Sequence, residues 1–205
     1  MIDERERQLI AEAIAAVERR TNAELVTVLA ARSDDYRPFA ILWAAVLALL
    51  PAPVLVFAAP TAAHLVVIEL ATFCVLVLLF LFTPLGMRLV PERLRRVRAG
   101  SLARSQFLER GLHHTREETG LLLFVSQAEQ YVEILADRGI ADHVQPDRWQ
   151  SIVDTFVTDV RGERVLQGFL TAIESCGEIL AEVCPKTPDN RNELDDRLIL
   201  IGYEP

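Results

Sequence analysis

The segment LLLFVSQAEQYVEILADRGI, residues 121–140, contains two short runs of apolar and β-branched residues separated by polar residues. Runs of this length and composition, joined by a short polar connection, are typical of a β-hairpin. The pattern predicts strands over residues 120–126 and 131–137, with a four-residue turn between them. The second strand ends in Asp-Arg-Gly, residues 137–139, which is either a working site or a simple turn.

A further strand is predicted upstream of the hairpin, in ELVTVLA, residues 24–30. A helix is predicted from Ser101 to about Glu118, directly before the hairpin. A strand–helix–strand connection within one sheet makes its two strands parallel. Helical apolar spacing precedes the first strand and follows the hairpin, and RLILIGY, residues 197–203, is able to add an edge strand. The predicted fold is α/β, a small mixed sheet sandwiched by helices.

A long apolar tract interrupts this fold after the first strand. From Pro38 to Met87 the chain has no Lys or Arg, one carboxylate, Glu69, and one histidine, His64. The tract is about twice the ~20 residues that a helix needs to cross a bilayer. It therefore predicts a transmembrane helical hairpin with spans Pro38–Ala59 and Ala63–Leu85, in preference to a buried helical pair of a soluble core.

Basic residues follow the second predicted span. They are Arg88, Arg93, Arg95, Arg96 and Arg98. The turn between the spans has no Lys or Arg, so the positive-inside rule places both flanks, and both termini, in the cytoplasm. We expect these arginines to lie against the lipid bilayer, on anionic headgroups. Nucleic acid is a poorer explanation of the basic segment, because the whole chain has a net charge of −8.

These features predict a discontinuous domain. Residues 1–37 and 101–205 form the cytoplasmic α/β domain, residues 38–87 form the transmembrane hairpin, and residues 88–100 form a basic juxtamembrane segment. The first piece supplies one helix and one strand, and a lone strand needs a sheet to join. The two pieces are therefore expected to fold together.

Polar residues collect at the predicted end of the sheet where the first strand begins and the hairpin ends. Glu24, His114, Asp137 and Asp142 form a candidate metal site there. Oxygen-rich sites with occasional imidazole suit Ca²⁺, Mg²⁺ or Mn²⁺. The alternative is structural, with Asp137 capping a turn in which Gly139 adopts positive φ.

Other carboxylates form competing candidates. Asp34 and Asp35 lie at the opposite end of the first strand. They either bind a cation or a partner, or pair with Arg88 or Arg93. Glu69, inside the second predicted span, either takes part in proton or oligomer contacts or reaches water near the interface.

Three segments of the chain resemble the bacterial membrane branch of the TPM domain family. They are TNAELVTVLAARSDDY (residues 21–36), HHTREETGLLLFVSQAEQYVEILADRGI (residues 113–140) and the Trp-x-x-Ile-Val run of residues 149–153. The resemblance implies a small α/β sandwich in a bacterial inner membrane protein, and Glu24, Asp137 and Arg138 match the family pattern. Some members are described as acid phosphatases or divalent-cation binders, whereas others are accessory factors in assembly or receptor function.

Three classes of function are compatible with these observations. An accessory, assembly or regulatory factor needs only an anchored domain and a partner, either an unidentified membrane protein or a second copy of the chain. A metal-dependent phosphatase of small phosphate esters needs the cation to polarise a phosphoryl oxygen or activate water, because no nucleophile elbow or Gly-rich phosphate loop is present. A transporter needs an oligomer to form a pathway. The first class is preferred, since the sequence offers an anchor and a fold.

Overall fold

The computed structural model divides the chain into two compact units. The sheet unit comprises Met1–Ser33 and Ala99–Pro205, and the apolar unit comprises Asp34–Arg98. Within these units the structure describes residues 2–53, 61–115, 117–187 and 197–203. The sheet unit is therefore built from two separate pieces of the chain, because a strand of the first piece, Glu24–Ala30, pairs with a strand of the second piece, Gly120–Ser126.

Four strands form one mixed sheet in the order β3-β2-β1-β4. The strands are β1 (Glu24–Ala30), β2 (Gly120–Ser126), β3 (Tyr131–Ala136) and β4 (Leu198–Ile201). β1 lies parallel to both β2 and β4, whereas β3 runs antiparallel to β2. The predicted hairpin, the parallel first strand and the edge strand in the tail are therefore confirmed.

The described residues also form α-helices. In chain order they are α1 (Glu4–Glu18), α2 (Arg37–Leu49), α3 (Ala62–Phe82), α4 (Leu85–Arg88), α5 (Glu92–Glu109), α6 (Arg138–Ala141), α7 (Pro146–Arg161) and α8 (Val165–Val183). A short 3-10 helix, Leu112–His114, lies between α5 and β2.

One face of the sheet packs against α1, α7 and α8. Ile10, Ile14 and Val17 follow one another at helical spacing on α1 and are fully buried, as expected for a helix with one face in the core. They belong to a cluster that includes Leu25 and Leu123 of the sheet and apolar residues of α7 and α8. Burial of these side chains is the main force that holds the three helices to the sheet.

The other face of the sheet packs against α5 and the 3-10 helix. Val28 and Phe124 of the sheet are fully buried there, in a cluster with Ala103 and Leu112. The sheet is thus covered on both faces, which confirms the predicted sandwich of helices around a mixed sheet.

The helix predicted over residues 101–118 is wrong in its bounds. α5 begins at Glu92 and ends at Glu109. Gly111 follows it with φ of 70°, a left-handed conformation that favours glycine and commonly terminates helices. Much of the predicted basic juxtamembrane segment is therefore the first part of α5.

In the apolar unit, α2 and α3 pack against each other. Ala40, Ala44 and Ala48 are the buried residues of α2, and small residues four apart let two helix backbones approach closely. Among the described helices, α3 is the one long and apolar enough to cross a membrane. The first predicted span, Pro38–Ala59, continues past α2 into positions outside the described residues.

Candidate functional site

Three residues lie side by side at the end of the sheet where β1 begins: Glu24 of β1, Gly120 of β2, and Asp137 directly after β3. Glu24 pairs with Gly120 in the parallel ladder, and the backbone N–H of Asp137 donates to the Gly120 carbonyl at 2.9 Å. Because paired positions point to the same face of a sheet, Glu24 and Asp137 share a face with the glycine between them. At about 4.8 Å per strand, their Cα atoms lie roughly 10 Å apart. We call this arrangement the Glu24–Asp137 row.

Gly120 leaves the middle of the row without a side chain, and the backbone of the 3-10 helix occupies that space. A Cβ atom at Gly120 would lie 2.3 Å from the Leu112 carbonyl oxygen. A side chain is therefore excluded at this position. The close approach brings a backbone carbonyl to the gap between the two carboxylate positions.

Asp137 is only half satisfied by the chain. Its Oδ1 accepts from the Arg138 backbone N–H at 2.9 Å, which caps the N-terminus of α6. Its Oδ2 is shielded from solvent and has no hydrogen-bond partner in the described part of the chain. A buried carboxylate oxygen without a partner is costly, and a cation would satisfy it.

The Asp-Arg-Gly segment does cap a helix, but the expected reason for its glycine is wrong. Gly139 lies within α6 and is absent from the described residues with positive φ. A Cβ atom there would lie 2.5 Å from the Glu117 carbonyl oxygen and 2.8 Å from that of Glu118. Glycine is needed because the backbone of α6 approaches the segment before β2, where the Gly139 N–H donates to the Glu118 carbonyl at 2.9 Å.

The remaining predicted ligands are arranged differently. Glu24 is 3% exposed, whereas His114 and Asp142 are exposed, the first on the 3-10 helix and the second at the end of α6. Arg138 is also exposed. Among the described residues, no group of three or more His, Cys, Asp or Glu side chains is close enough to hold a metal ion. The register thus brings Glu24 and Asp137 to one row, and the other two stay predictions.

The sequence of this chain matches a known protein family over part of its length. Residues 91–179 match the TPM domain. The chain carries a TPM domain. The match runs from the start of α5 into α8 and includes residues 113–140 and 149–153, so the resemblance of these segments to the TPM domain is confirmed. Residues 21–36 lie outside the match, and the membrane branch of the family stays a prediction. No curated protein matches the chain.

A solved structure has the same fold. The NMR structure of the BA42 protein from the psychrophilic bacterium Bizionia argentinensis is similar to this chain with a TM-score of 0.62 and 16% sequence identity. The similarity covers 98% of this chain and 95% of that chain. At this identity the likeness shows the fold alone.

A polar contact beside the Glu24–Asp137 row attaches the segment after α8 to the residues before β1. Asn22 Oδ1 accepts from the Thr187 backbone N–H at 2.9 Å, and Asn22 Nδ2 donates to Thr187 Oγ1 at 2.9 Å. Burial, together with the nearby Glu117 carboxylate, raises the pKa of the Cys184 thiol. This contact could not be predicted from the sequence, because its partners are 165 residues apart and no local pattern links them.

The opposite end of the sheet holds a buried carboxylate that sequence analysis did not single out. Glu129 Oε1 accepts from the Ser33 backbone N–H at 2.9 Å, and its Oε2 accepts from the Ser126 hydroxyl. The Ser33 hydroxyl donates to Ser126 Oγ at 2.8 Å. The carboxylate therefore connects the ends of β1 and β2. Ser126 is 1% exposed and Glu129 is 6% exposed, so the hydrogen bond between these two side chains is buried.

Asp34 and Asp35 lie in ion pairs within the apolar unit. Asp34 Oδ2 lies 3.1 Å from Arg98 Nε, and Asp35 Oδ1 lies 3.8 Å from Nε of the arginine two residues later. The expected pairing with Arg88 or Arg93 is wrong, because α5 begins earlier than predicted and carries Arg98 to Asp34. Both pairs are partly exposed, and such pairs contribute at most about 1 kcal/mol each.

Proposed function

We propose that this protein is an integral membrane protein whose TPM domain acts at the cytoplasmic surface of a bacterial inner membrane as an accessory, assembly or regulatory factor. The observation that carries the proposal is α3. It has 21 residues and no buried residue, and its length of about 32 Å matches a hydrocarbon core of about 30 Å.

The surface of the apolar unit supports the same proposal. Large apolar side chains are exposed along both helices: Ile41, Leu42, Val46, Leu49, Val66, Val67, Leu70, Val75, Leu78 and Phe82. Soluble monomers rarely expose a contiguous apolar surface of this extent. Lipid chains would cover this apolar surface and keep it from water. α2, which packs on α3 and buries its alanines, would belong to the second membrane-spanning helix of the hairpin.

The distribution of charge supports a cytoplasmic position for both ends of the chain. Arg37 begins α2, and the five arginines of the predicted membrane-surface segment follow α3. In the sequence, residues 50–61 contain no Lys or Arg. Basic residues on one side of a hairpin keep that side in the cytoplasm. The partner in this proposal is a membrane protein or a second copy of the chain.

Reporter fusions test the membrane insertion directly. Alkaline phosphatase is active only outside the cytoplasm, so a fusion after residue 60 should be active and a fusion at the C-terminus inactive. The matched control is the fusion after residue 60 in a Val46→Arg, Leu49→Arg background, since both residues lie near the centre of the first predicted span and each arginine in the centre of a span costs about 2.5–3.5 kcal/mol, which should abolish export. Equal, low activity of all fusions, together with recovery of the protein in the soluble fraction, would overturn the proposal.

A second candidate function is metal-dependent hydrolysis of small phosphate esters. The unpartnered Oδ2 of Asp137, in a row with Glu24, favours it. The donor chemistry fits Ca²⁺, Mg²⁺ or Mn²⁺, since Mg²⁺ in particular binds through one or two carboxylates and keeps several waters. A bound cation would supply a Lewis acid for the phosphoryl oxygen. The residues of the chain would hold the cation and present no nucleophile of their own.

Calorimetric titration with each cation separates the two candidates. Detergent-purified protein should bind a divalent cation, and Asp137→Asn and Glu24→Gln should each weaken binding at least tenfold. Asp154→Asn is the matched control, because Asp154 is exposed on α7 and belongs to no candidate cation site. Binding that survives both changes would remove the site. Hydrolysis of p-nitrophenyl phosphate that disappears in Asp137→Asn would favour the phosphatase, and binding without hydrolysis would favour the accessory factor.

A further inference from the structure

We propose that three arginines of the apolar unit, Arg88, Arg93 and Arg95, bind the phosphates of anionic phospholipids, whereas Arg96 and Arg98 do not. The inference rests on the membrane insertion proposed above and names the lipid chemistry that the protein selects.

Two of the five arginines are already neutralised by carboxylates. Arg96 donates to Glu92 Oε1 from Nη2 at 2.8 Å and from Nε at 3.0 Å. Arg98 Nε lies 3.1 Å from Asp34 Oδ2. A guanidinium paired in this way must give up a charge-assisted hydrogen bond before it can bind a phosphate. These two arginines therefore add little attraction for a headgroup.

The other three arginines have no such partner. No hydrogen bond or ion pair joins Arg88, Arg93 or Arg95 to another residue in the described part of the chain. Arg88 and Arg93 are exposed, and Arg95 is half-buried. The Nε of Arg95 is shielded from solvent and lacks an acceptor. An unsatisfied charged donor is costlier than a neutral one, and a phosphate oxygen would satisfy it.

The positions of these arginines fit headgroups. Arg88 ends α4, which follows α3 by two residues and contacts both α2 and α3. Arg93 and Arg95 lie in the first turn of α5. Residues two apart on a helix point about 200° from each other, so these two side chains contact separate lipids and form no single pocket. The planar fork of arginine binds phosphate oxygens in pairs, which a point charge does not.

Lipid selectivity measured on the full-length protein tests this division. The protein is reconstituted in phosphatidylcholine vesicles, and electron paramagnetic resonance compares the association of spin-labelled phosphatidylglycerol with that of spin-labelled phosphatidylcholine. The wild-type protein should prefer phosphatidylglycerol several-fold, because one basic residue near anionic lipid corresponds to about a fivefold change in affinity. The triple variant Arg88→Gln, Arg93→Gln, Arg95→Gln should show no preference.

The double variant Arg96→Gln, Arg98→Gln is the control and should keep the wild-type preference. Equal losses in the two variants, or a wild-type protein without preference, would overturn the inference. Carbonate extraction of the same membranes distinguishes this failure from failure of the proposed function. A protein released by carbonate was never inserted, whereas a protein that resists carbonate but selects no lipid contradicts the headgroup assignment alone.

Discussion

At the scale of single residues, Cys176 shows how burial controls chemistry. The thiol is fully buried on α8, and desolvation raises its pKa from 9.0 to about 12. The folded protein therefore keeps the thiol proton at pH values at which the unfolded chain releases it. The sign follows from linkage: the stability contributed by this group is complete below pH 9.0 and is lost progressively as the pH rises toward about 12.

We expect the melting temperature of the wild-type protein in detergent to fall between pH 8 and pH 10.5, and to fall less in Cys176→Ala. The quantity compared is the slope of melting temperature against pH. The loss of stability caused by the smaller alanine side chain is the same at every pH, so it does not change this slope. Iodoacetamide should label Cys176 at pH 8 only after denaturant is added, as peptide mass spectrometry can measure. Rapid labelling of the native protein would show that the thiol is accessible after all.

At the scale of elements, the contact between α1 and α8 depends on one glycine. A Cβ atom at Gly177 would lie 2.5 Å from Val17 Cγ2, and Val17 is fully buried. Gly177→Ala gains up to about 1 kcal/mol of helix propensity, but overpacking of a core typically costs about 1–3 kcal/mol. We expect a net loss of about 1 kcal/mol in the free energy of unfolding, measured by urea denaturation.

Gly168 on the same helix is the matched control. A Cβ atom there would meet its nearest neighbours at 3.4 Å, which is ordinary contact distance. Gly168→Ala should therefore be neutral or stabilising, and Val17→Ala should rescue Gly177→Ala. The same sign for both glycine variants would show that helix propensity, and not the contact with Val17, decides the outcome.

Elements that depend on short local sequence patterns could be predicted, whereas those that depend on packing between distant residues could not. The bounds of β1 and the hairpin followed from short apolar runs and turn residues, and the Glu24–Asp137 row followed from strand register. The start of α5 was missed, because Pro91 and a run of arginines hid a helix that packs through Ala99 and Ala103. The pairing of Asp34 with Arg98 was missed for the same reason, since it needs the position of α5.

At the scale of the whole molecule, the sheet unit is assembled from two separated pieces of chain, Met1–Ser33 and Ala99–Pro205. β1 is a central strand with β2 on one side and β4 on the other, and α1 contacts α8. We therefore expect the sheet unit to fold when residues 34–98 are replaced by a flexible linker. A 15-residue Gly/Ser linker has a mean end-to-end distance of about 21 Å, and loop closure costs only slightly more for longer linkers.

The linker variant should be soluble without detergent and should melt cooperatively by circular dichroism. Deletion of residues 1–33 from the linker variant should abolish cooperative melting. β2 and β4 would lose the strand between them, and their backbone N–H and C=O groups that pair with β1 would be left without partners. If the deletion variant melts like the linker variant, β1 is dispensable and the interrupted domain is not a single cooperative body. If the linker variant aggregates whereas the full-length protein melts cooperatively in detergent, the sheet unit depends on the apolar unit for its stability.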